Sequence, residues 1–226
     1  MNLRNPWDAM SPEERACRNA EFEAERQTER ALEDARRQSR RIELSGLIGR
    51  YASATFDTFR ATRKEQRAVL QACRHFVDTF EPGRWGAPLL IGPPGTGKTH
   101  LASAIVHALV YEQRCRATIT TARGIIQRMR ATWRDGAHES MEDVHDALLR
   151  PALLVVDELD LDTDGERALL LAAIGARYVE ERATIGISNL PLPDLQLAVG
   201  ARTLDRLLEQ ATVLRCDWPS FRRPAQ

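Results

Sequence analysis

An α/β domain whose strands are covered by helices is the fold class this sequence predicts, and three observations carry the prediction. Short apolar runs of strand length alternate with stretches of helical periodicity from Leu89 to Arg215. One run, Pro151 to Val156, is apolar throughout, as a strand packed on both faces must be. Another, Leu89 to Ile91, stops at a glycine- and proline-rich loop, and a helical pattern (Leu101, Ile105, Leu109) begins as soon as the loop ends. A chain of 226 residues has room for one such domain and a small appendage.

The loop, Gly92-Pro93-Pro94-Gly95-Thr96-Gly97-Lys98-Thr99, fits the phosphate-binding pattern G-x-x-x-x-G-K-[ST]. Gly92, Gly95 and Gly97 bring no side chain to obstruct a phosphate, so successive N–H groups can turn inward to hold one. The helix that starts near Gly97 adds its unsatisfied N–H groups and positive end. Lys98 supplies a full charge to the β- and γ-phosphates, and the Thr99 hydroxyl is placed to ligand Mg²⁺.

Composition narrows the classes further. Acidic and basic residues balance at 32 each, so any contact with a polyanion must come from a local patch. Cys17, Cys73, Cys115 and Cys216 lie far apart with no metal-ligand spacing, which argues against a disulfide framework or a zinc site. Free thiols in a reducing, cytoplasmic setting fit better. The first thirty residues hold no apolar run and no stretch approaches eighteen apolar residues, so neither export nor membrane insertion is expected.

Taken in order, the chain opens on Pro6-Trp7, an aromatic that either anchors on a partner or packs back on its own domain. Ser11-Pro12-Glu13-Glu14 reads as a helix start, with Ser11 as N-cap, Pro12 in the first turn and Glu14 closing a capping box. From Glu13 to Glu43, 17 of 31 residues are charged, and the apolar ones are mostly alanines with no heptad seam. Residues 1–45 are therefore either a solvated helix held by its own ion pairs or a docking element for a partner protein, with the catalytic domain spanning 46–226. Ser45-Gly46 ends that helix; a lead-in with Phe56 and Phe59 precedes a helix over Lys64 to Phe80 and a turn at Glu81-Pro82-Gly83.

Beyond the loop helix, Ala117 to Thr120 reads as a second strand and 122–133 as a helix with apolar face Ile125, Ile126, Met129 and Trp133. Arg123, Arg130 and Arg134 lie on another side with Arg128 nearby, the one stripe that suits a nucleic acid. Trp133 fits either the core or a base-stacking platform. The third strand ends in Asp157-Glu158, 59 residues after Lys98. Asp157 suits a Mg²⁺ ligand opposite Thr99, and Glu158 a group that polarises an attacking water. A helix over 165–180 leads to a fourth strand, Ala183 to Ser188, ending at Asn189, whose amide could meet the γ-phosphate or simply form a turn. Short helical stretches over 194–209 and a strand at Thr212 to Arg215 complete the pattern.

These blocks together resemble the AAA+ ATPases, and within them the DnaC/IstB-like helicase loaders. The resembling residues are Thr55-Phe56-Asp57-Thr58-Phe59, Gly92 to Ala102, Met129 to Arg134, Leu153 to Glu158, Ser188-Asn189 and Gly200 to Leu207, over roughly residues 45–222. The resemblance implies a five-stranded parallel sheet in the order 5-1-4-3-2, and an ATP and Mg²⁺ site that includes His100 after the loop. It further implies an arginine finger from the adjacent subunit at Arg206, with Arg202 one turn earlier, and hence self-association. The single-stranded DNA contacts it implies fall on Arg130, Trp133 and Arg134. A second DNA segment that it implies matches Asp162 to Arg167, which is acidic here apart from Arg167 and departs from that pattern. The eleven residues after Arg215 are too few for the helical lid of many AAA+ proteins, and the cysteine-rich amino-terminal region of many relatives is reduced to Cys17. The expected function is ATP-dependent loading of a replicative hexameric helicase. A transposase-helper ATPase and a non-hydrolysing adaptor are the alternatives.

Overall fold

The computed structural model describes residues 10–222, so Trp7 lies outside the described part. The chain divides between Arg40 and Arg41 into two compact units. Most of α1 (Pro12–Leu44) makes up the first, a single continuous helix with no buried residue. The capping box forms as its sequence suggests: Glu14 N–H donates to Ser11 Oγ at 3.2 Å and Ser11 N–H to the Glu14 carboxylate at 2.7 Å. Phe22 and Leu32 stand exposed along the helix.

The second unit is built on a parallel sheet of five strands: β1 (Leu89–Ile91), β2 (Ala117–Thr121), β3 (Leu153–Asp157), β4 (Ala183–Ser188) and β5 (Val213–Arg215). Their order is β2-β3-β4-β1-β5, the implied 5-1-4-3-2 read from the other edge. Leu89 lies opposite both Gly186 and Val213, and Thr121 opposite Asp157, so the ends of β1, β3 and β4 are brought side by side. Strand side chains alternate between two apolar layers, as a two-residue period requires. Leu90, Val155, Ile185 and Ile187 pack under α2 (Lys64–Asp78) and α3 (Lys98–His107). Leu89, Ile91, Leu154 and Val156 face α4 (Ala122–Ala131), α5 (Met141–Leu149), α6 (Asp164–Val179), α7 (Leu192–Val199) and α8 (Ala201–Leu208). Each such aliphatic side chain contributes roughly 1.5–3 kcal/mol by leaving water.

Most elements lie where the periodicity puts them, with three differences. Helix α5 starts within residues 135–146, which hold five acids and no Lys or Arg and for which no element was expected; Ser140 caps it by accepting from Asp143 N–H at 3.1 Å. Helix α4 stops at Ala131, so Trp133 lies past its last residue and is 64% exposed, outside the core. Helix α3 continues through a wide π-type turn at Ala108–Glu112. The outer edge of β2 is covered by the chain leaving α1, where Ile119 N–H donates to the Ser45 carbonyl at 2.8 Å. Gly46 permits this approach, since a Cβ there would lie 2.1 Å from the Ile119 carbonyl oxygen.

Candidate nucleotide site at the strand ends

The carboxyl ends of β1, β3 and β4 open into a cleft of about 870 Å³, lined by Gly95, Gly97, Lys98, Thr99, His100, Asp157, Glu158 and Asn189 among others. Residues as far as 91 positions apart in sequence meet here because the parallel strands end at one level. Gly97 caps α3 with φ +90°, a left-handed conformation that aims the helix N-terminus into the cleft.

Lys98 is the hub. Its Nζ donates to the Gly92 carbonyl at 2.6 Å, the Pro93 carbonyl at 2.8 Å and Asn189 Oδ1 at 2.9 Å. Only 4% of the residue is exposed, and burial pushes its ammonium pKa below the ordinary value, opposed by the nearby Asp157 and Asp160. Thr99 Oγ1 donates to Asp157 Oδ2 at 2.7 Å, while Glu158 N–H donates to Asp157 Oδ1 at 2.7 Å. Burial raises the Asp157 pKa, and these two hydrogen bonds pull against it. Hydroxyl and carboxylate side by side form a hard oxygen pair that suits Mg²⁺, which commonly takes one or two protein oxygens beside phosphate and water. No cluster of three acid, histidine or cysteine side chains capable of holding a metal occurs among the described residues.

Glu158 is exposed at the cleft lining with φ +56°, a left-handed backbone conformation that non-glycine residues seldom adopt. His100 is engaged elsewhere: its Nε2 sits 3.0 Å from the Thr55 carbonyl and 3.1 Å from Thr58 Oγ1. The lead-in segment is thereby tied to α3, and Phe59 packs against the His100 ring at 5.7 Å. Pro93 and Pro94 are exposed, Pro94 at the cleft lining, and the Thr96 hydroxyl donates to the Pro93 carbonyl at 3.0 Å.

The remaining expected residues lie apart. Arg206 and Arg202 stand on α8 and do not line this cleft; the Arg206 guanidinium stacks 5.3 Å over the Tyr178 ring. The arginine stripe of α4 is largely engaged by acids. Arg123 pairs with Asp162 at 2.6 Å, Arg128 with Glu139 at 2.5 Å, and Arg130 with Glu166 at 3.7 Å. Arg134 is exposed and has no ion-pair partner among the described residues. Several cleft residues were not expected, among them Tyr51, Phe221 and Arg222. Nothing local marks them, because they reach the loop only through the tertiary fold.

Comparison with known proteins agrees with this geometry. The family described as IstB-like ATP binding protein matches residues 11–226. The replicative helicase loader DnaC of Escherichia coli K12 is 28% identical over 217 residues, 95% of this chain and 84% of that protein. A crystal structure of the DnaC helicase loader superposes with a TM-score of 0.68 at 26% identity, covering 74% of this chain and 99% of the other. A replication initiator DnaA bound to AMPPCP and single-stranded DNA shares the fold at TM-score 0.60 and 18% identity, over 72% of this chain and 49% of that one. Phosphate loop, adjoining acidic strand end and sheet order thus accompany a match across almost the full length, and the chain belongs to the family of IstB-like ATP-binding proteins, on the AAA+ fold.

Proposed function

We propose that the chain is an ATP-dependent loader of a replicative hexameric DNA helicase. The observation that carries the reading is the cluster of Lys98, Thr99, Asp157 and Asn189 in a chain similar to a helicase loader along 95% of its length, α1 included. In this reading the amides of Gly92–Thr99 and the Lys98 ammonium bind the triphosphate, with Lys98 exchanging loop carbonyls for phosphate oxygens. Thr99 and Asp157 hold Mg²⁺, which when bound neutralises charge on the phosphate oxygens. Glu158 orients the attacking water and takes its proton, and Asn189 contacts the γ-phosphate. Arg206, supported by Arg202, acts on the site of an adjacent subunit. Helix α1 grips the helicase, single-stranded DNA lies along Arg130, Trp133 and Arg134, and hydrolysis releases the loader.

A transposase helper within the same IstB-like family is the second reading. Size-exclusion chromatography of the purified chain with ATP, mixed with purified replicative helicase or with a transposase, separates the two. Co-elution with the helicase is expected; co-elution with the transposase alone overturns the loader reading. Glu158→Gln should bind ATP normally while turnover falls by about 10²-fold or more. Unchanged turnover would overturn the role of Glu158, and absence of turnover in the wild type, assembled with ATP and helicase, would instead make the chain an adaptor that uses nucleotide only to set its shape.

A further inference from the structure

Each glycine of the phosphate loop is closely approached, and the approaching atoms come largely from the end of the same chain. A Cβ on Gly92 would lie 2.6 Å from the Cys216 carbonyl oxygen, and one on Gly95 would lie 2.0 Å from Ser220 Oγ. One on Gly97 would meet the Phe59 ring at 2.7 Å and the Phe221 ring at 3.4 Å. These glycines therefore serve a packing need as well as a phosphate. Residues 216–222 form a strap along the loop. Cys216 N–H donates to the Ile91 carbonyl at 2.7 Å, Trp218 Nε1–H to the Thr96 carbonyl at 2.9 Å, and Phe221 N–H to the Gly95 carbonyl at 2.8 Å. Phe221 also meets Phe59 edge to face at 5.7 Å.

The strap ends at Arg222. Its N–H donates to Ser220 Oγ at 3.1 Å, its Cδ lies 3.5 Å from the Cβ position of Gly95, and it lines the cleft beside Lys98 and Thr99. Among the described residues it has no carboxylate partner. Its charge is felt at Lys98, whose pKa is depressed chiefly by burial and in lesser part by this guanidinium. Two cations facing one cleft repel each other; a polyphosphate between them replaces that repulsion with two charge-assisted contacts. A guanidinium fork matches phosphate oxygens better than a second ammonium would.

We infer that Arg222 binds the nucleotide phosphates in cis, and that the strap Cys216–Arg222 is a part of the nucleotide site whose seating on Gly95 and Thr96 sets ATP affinity. The inference deepens the nucleotide-site reading above and rests on it. It is tested by ATP binding of the full chain, followed with a fluorescent ATP analogue, for wild type, Arg222→Ala, Arg222→Lys, Phe221→Ala and Lys98→Ala, with thermal unfolding measured without nucleotide. Arg222→Ala should lose about tenfold or more in affinity, the scale of one hydrogen bond to a charged group. Its unfolding temperature should stay at the wild-type value, because the side chain is exposed. Arg222→Lys should fall between the two, and Phe221→Ala should weaken ATP although it removes no charge. Wild-type affinity in Arg222→Ala, with Lys98→Ala severely impaired, would overturn the role of Arg222 while leaving the nucleotide site intact. Wild-type affinity in Phe221→Ala would overturn the strap. Lys98→Ala binding as tightly as wild type would overturn the nucleotide-site reading and the strap with it.

Discussion

Arg177 shows how much of this fold depends on one side chain. It is fully buried in α6, and its guanidinium donates to Thr184 Oγ1 at 2.9 Å, the Pro151 carbonyl at 3.1 Å, the Ala183 carbonyl at 2.6 Å and the Leu148 carbonyl. Those oxygens belong to the end of α5, the entry to β3 and the start of β4, so one fork joins three elements at the end of the sheet opposite the cleft. Burial pushes its pKa down, but a planar head with five N–H donors among neutral acceptors keeps its proton. Arg177→Met would fill similar space and leave several buried acceptors dry, at about 1–3 kcal/mol each. Even at about 3 kcal/mol in total, the melting temperature should fall by roughly 6–12 °C or more, since 1 kcal/mol corresponds to about 2–4 °C in a domain of this size. Arg177→Lys should recover only part of this, because one ammonium cannot span four acceptors. A wild-type melting temperature in Arg177→Met would refute the assignment. In the sequence Arg177 is one more charge on a helical stretch, indistinguishable from a solvated one. The phosphate loop was legible because its chemistry lies in eight contiguous residues, and Asp157-Glu158 because acids follow directly on a buried strand. Arg222 was not, because more than a hundred residues separate it from the loop it serves.

Helix α4 carries the DNA reading at the scale of elements, and its surroundings rank its arginines. Arg123 and Arg130 are tied to Asp162 and Glu166, on the segment that follows the Asp157-Glu158 strand end. The Arg123 pair is exposed on both sides and worth at most about 1 kcal/mol. Glu166 is held more firmly, accepting from Thr163 N–H and Asp162 N–H at 3.3 Å while packed at the start of α6. A nucleic acid must displace these acids to use Arg123 or Arg130, whereas Arg134 and Trp133 stand clear of them. Arg134→Ala should therefore weaken single-strand binding more than Arg123→Ala, and lower the slope of log affinity against log salt by about one. Equal, wild-type slopes for both would remove the arginine stripe from the interface. The Arg123 and Arg130 pairs join partners 36 or more residues apart, so these arginines read as free in the sequence while their acids lay in another segment. Helix α5 escaped notice for a different reason. Its nine residues bury only Val144 and Leu148, a repeat too short to stand out from the acidic run around it.

At the scale of the whole molecule, the position of Arg206 separates a self-sufficient enzyme from one completed by a neighbour. Its guanidinium stacks on Tyr178, whose ring is held edge to face by Trp85 at 5.2 Å, and it crowds the backbone of α6 where a Cβ on Gly175 would lie 2.3 Å away. That surface is distinct from the cleft lined by Lys98 and Asp157. If Arg206 acts on a triphosphate, the triphosphate belongs to another copy, and the contact is head to tail, joining unlike surfaces. Lys98→Ala and Arg206→Ala should then each lack turnover, the second because an arginine finger is worth about 10³–10⁵ in rate. Mixed in equal amounts they should complement, since a subunit carrying Arg206→Ala still offers an intact cleft to a neighbour carrying Lys98→Ala. Random head-to-tail assembly makes about one interface in four competent, so ATPase activity should recover to roughly a quarter of wild type. Full activity of Arg206→Ala alone, or no recovery on mixing under conditions where the wild type assembles, would show that the arginine serves its own fold and that the site is complete within one chain.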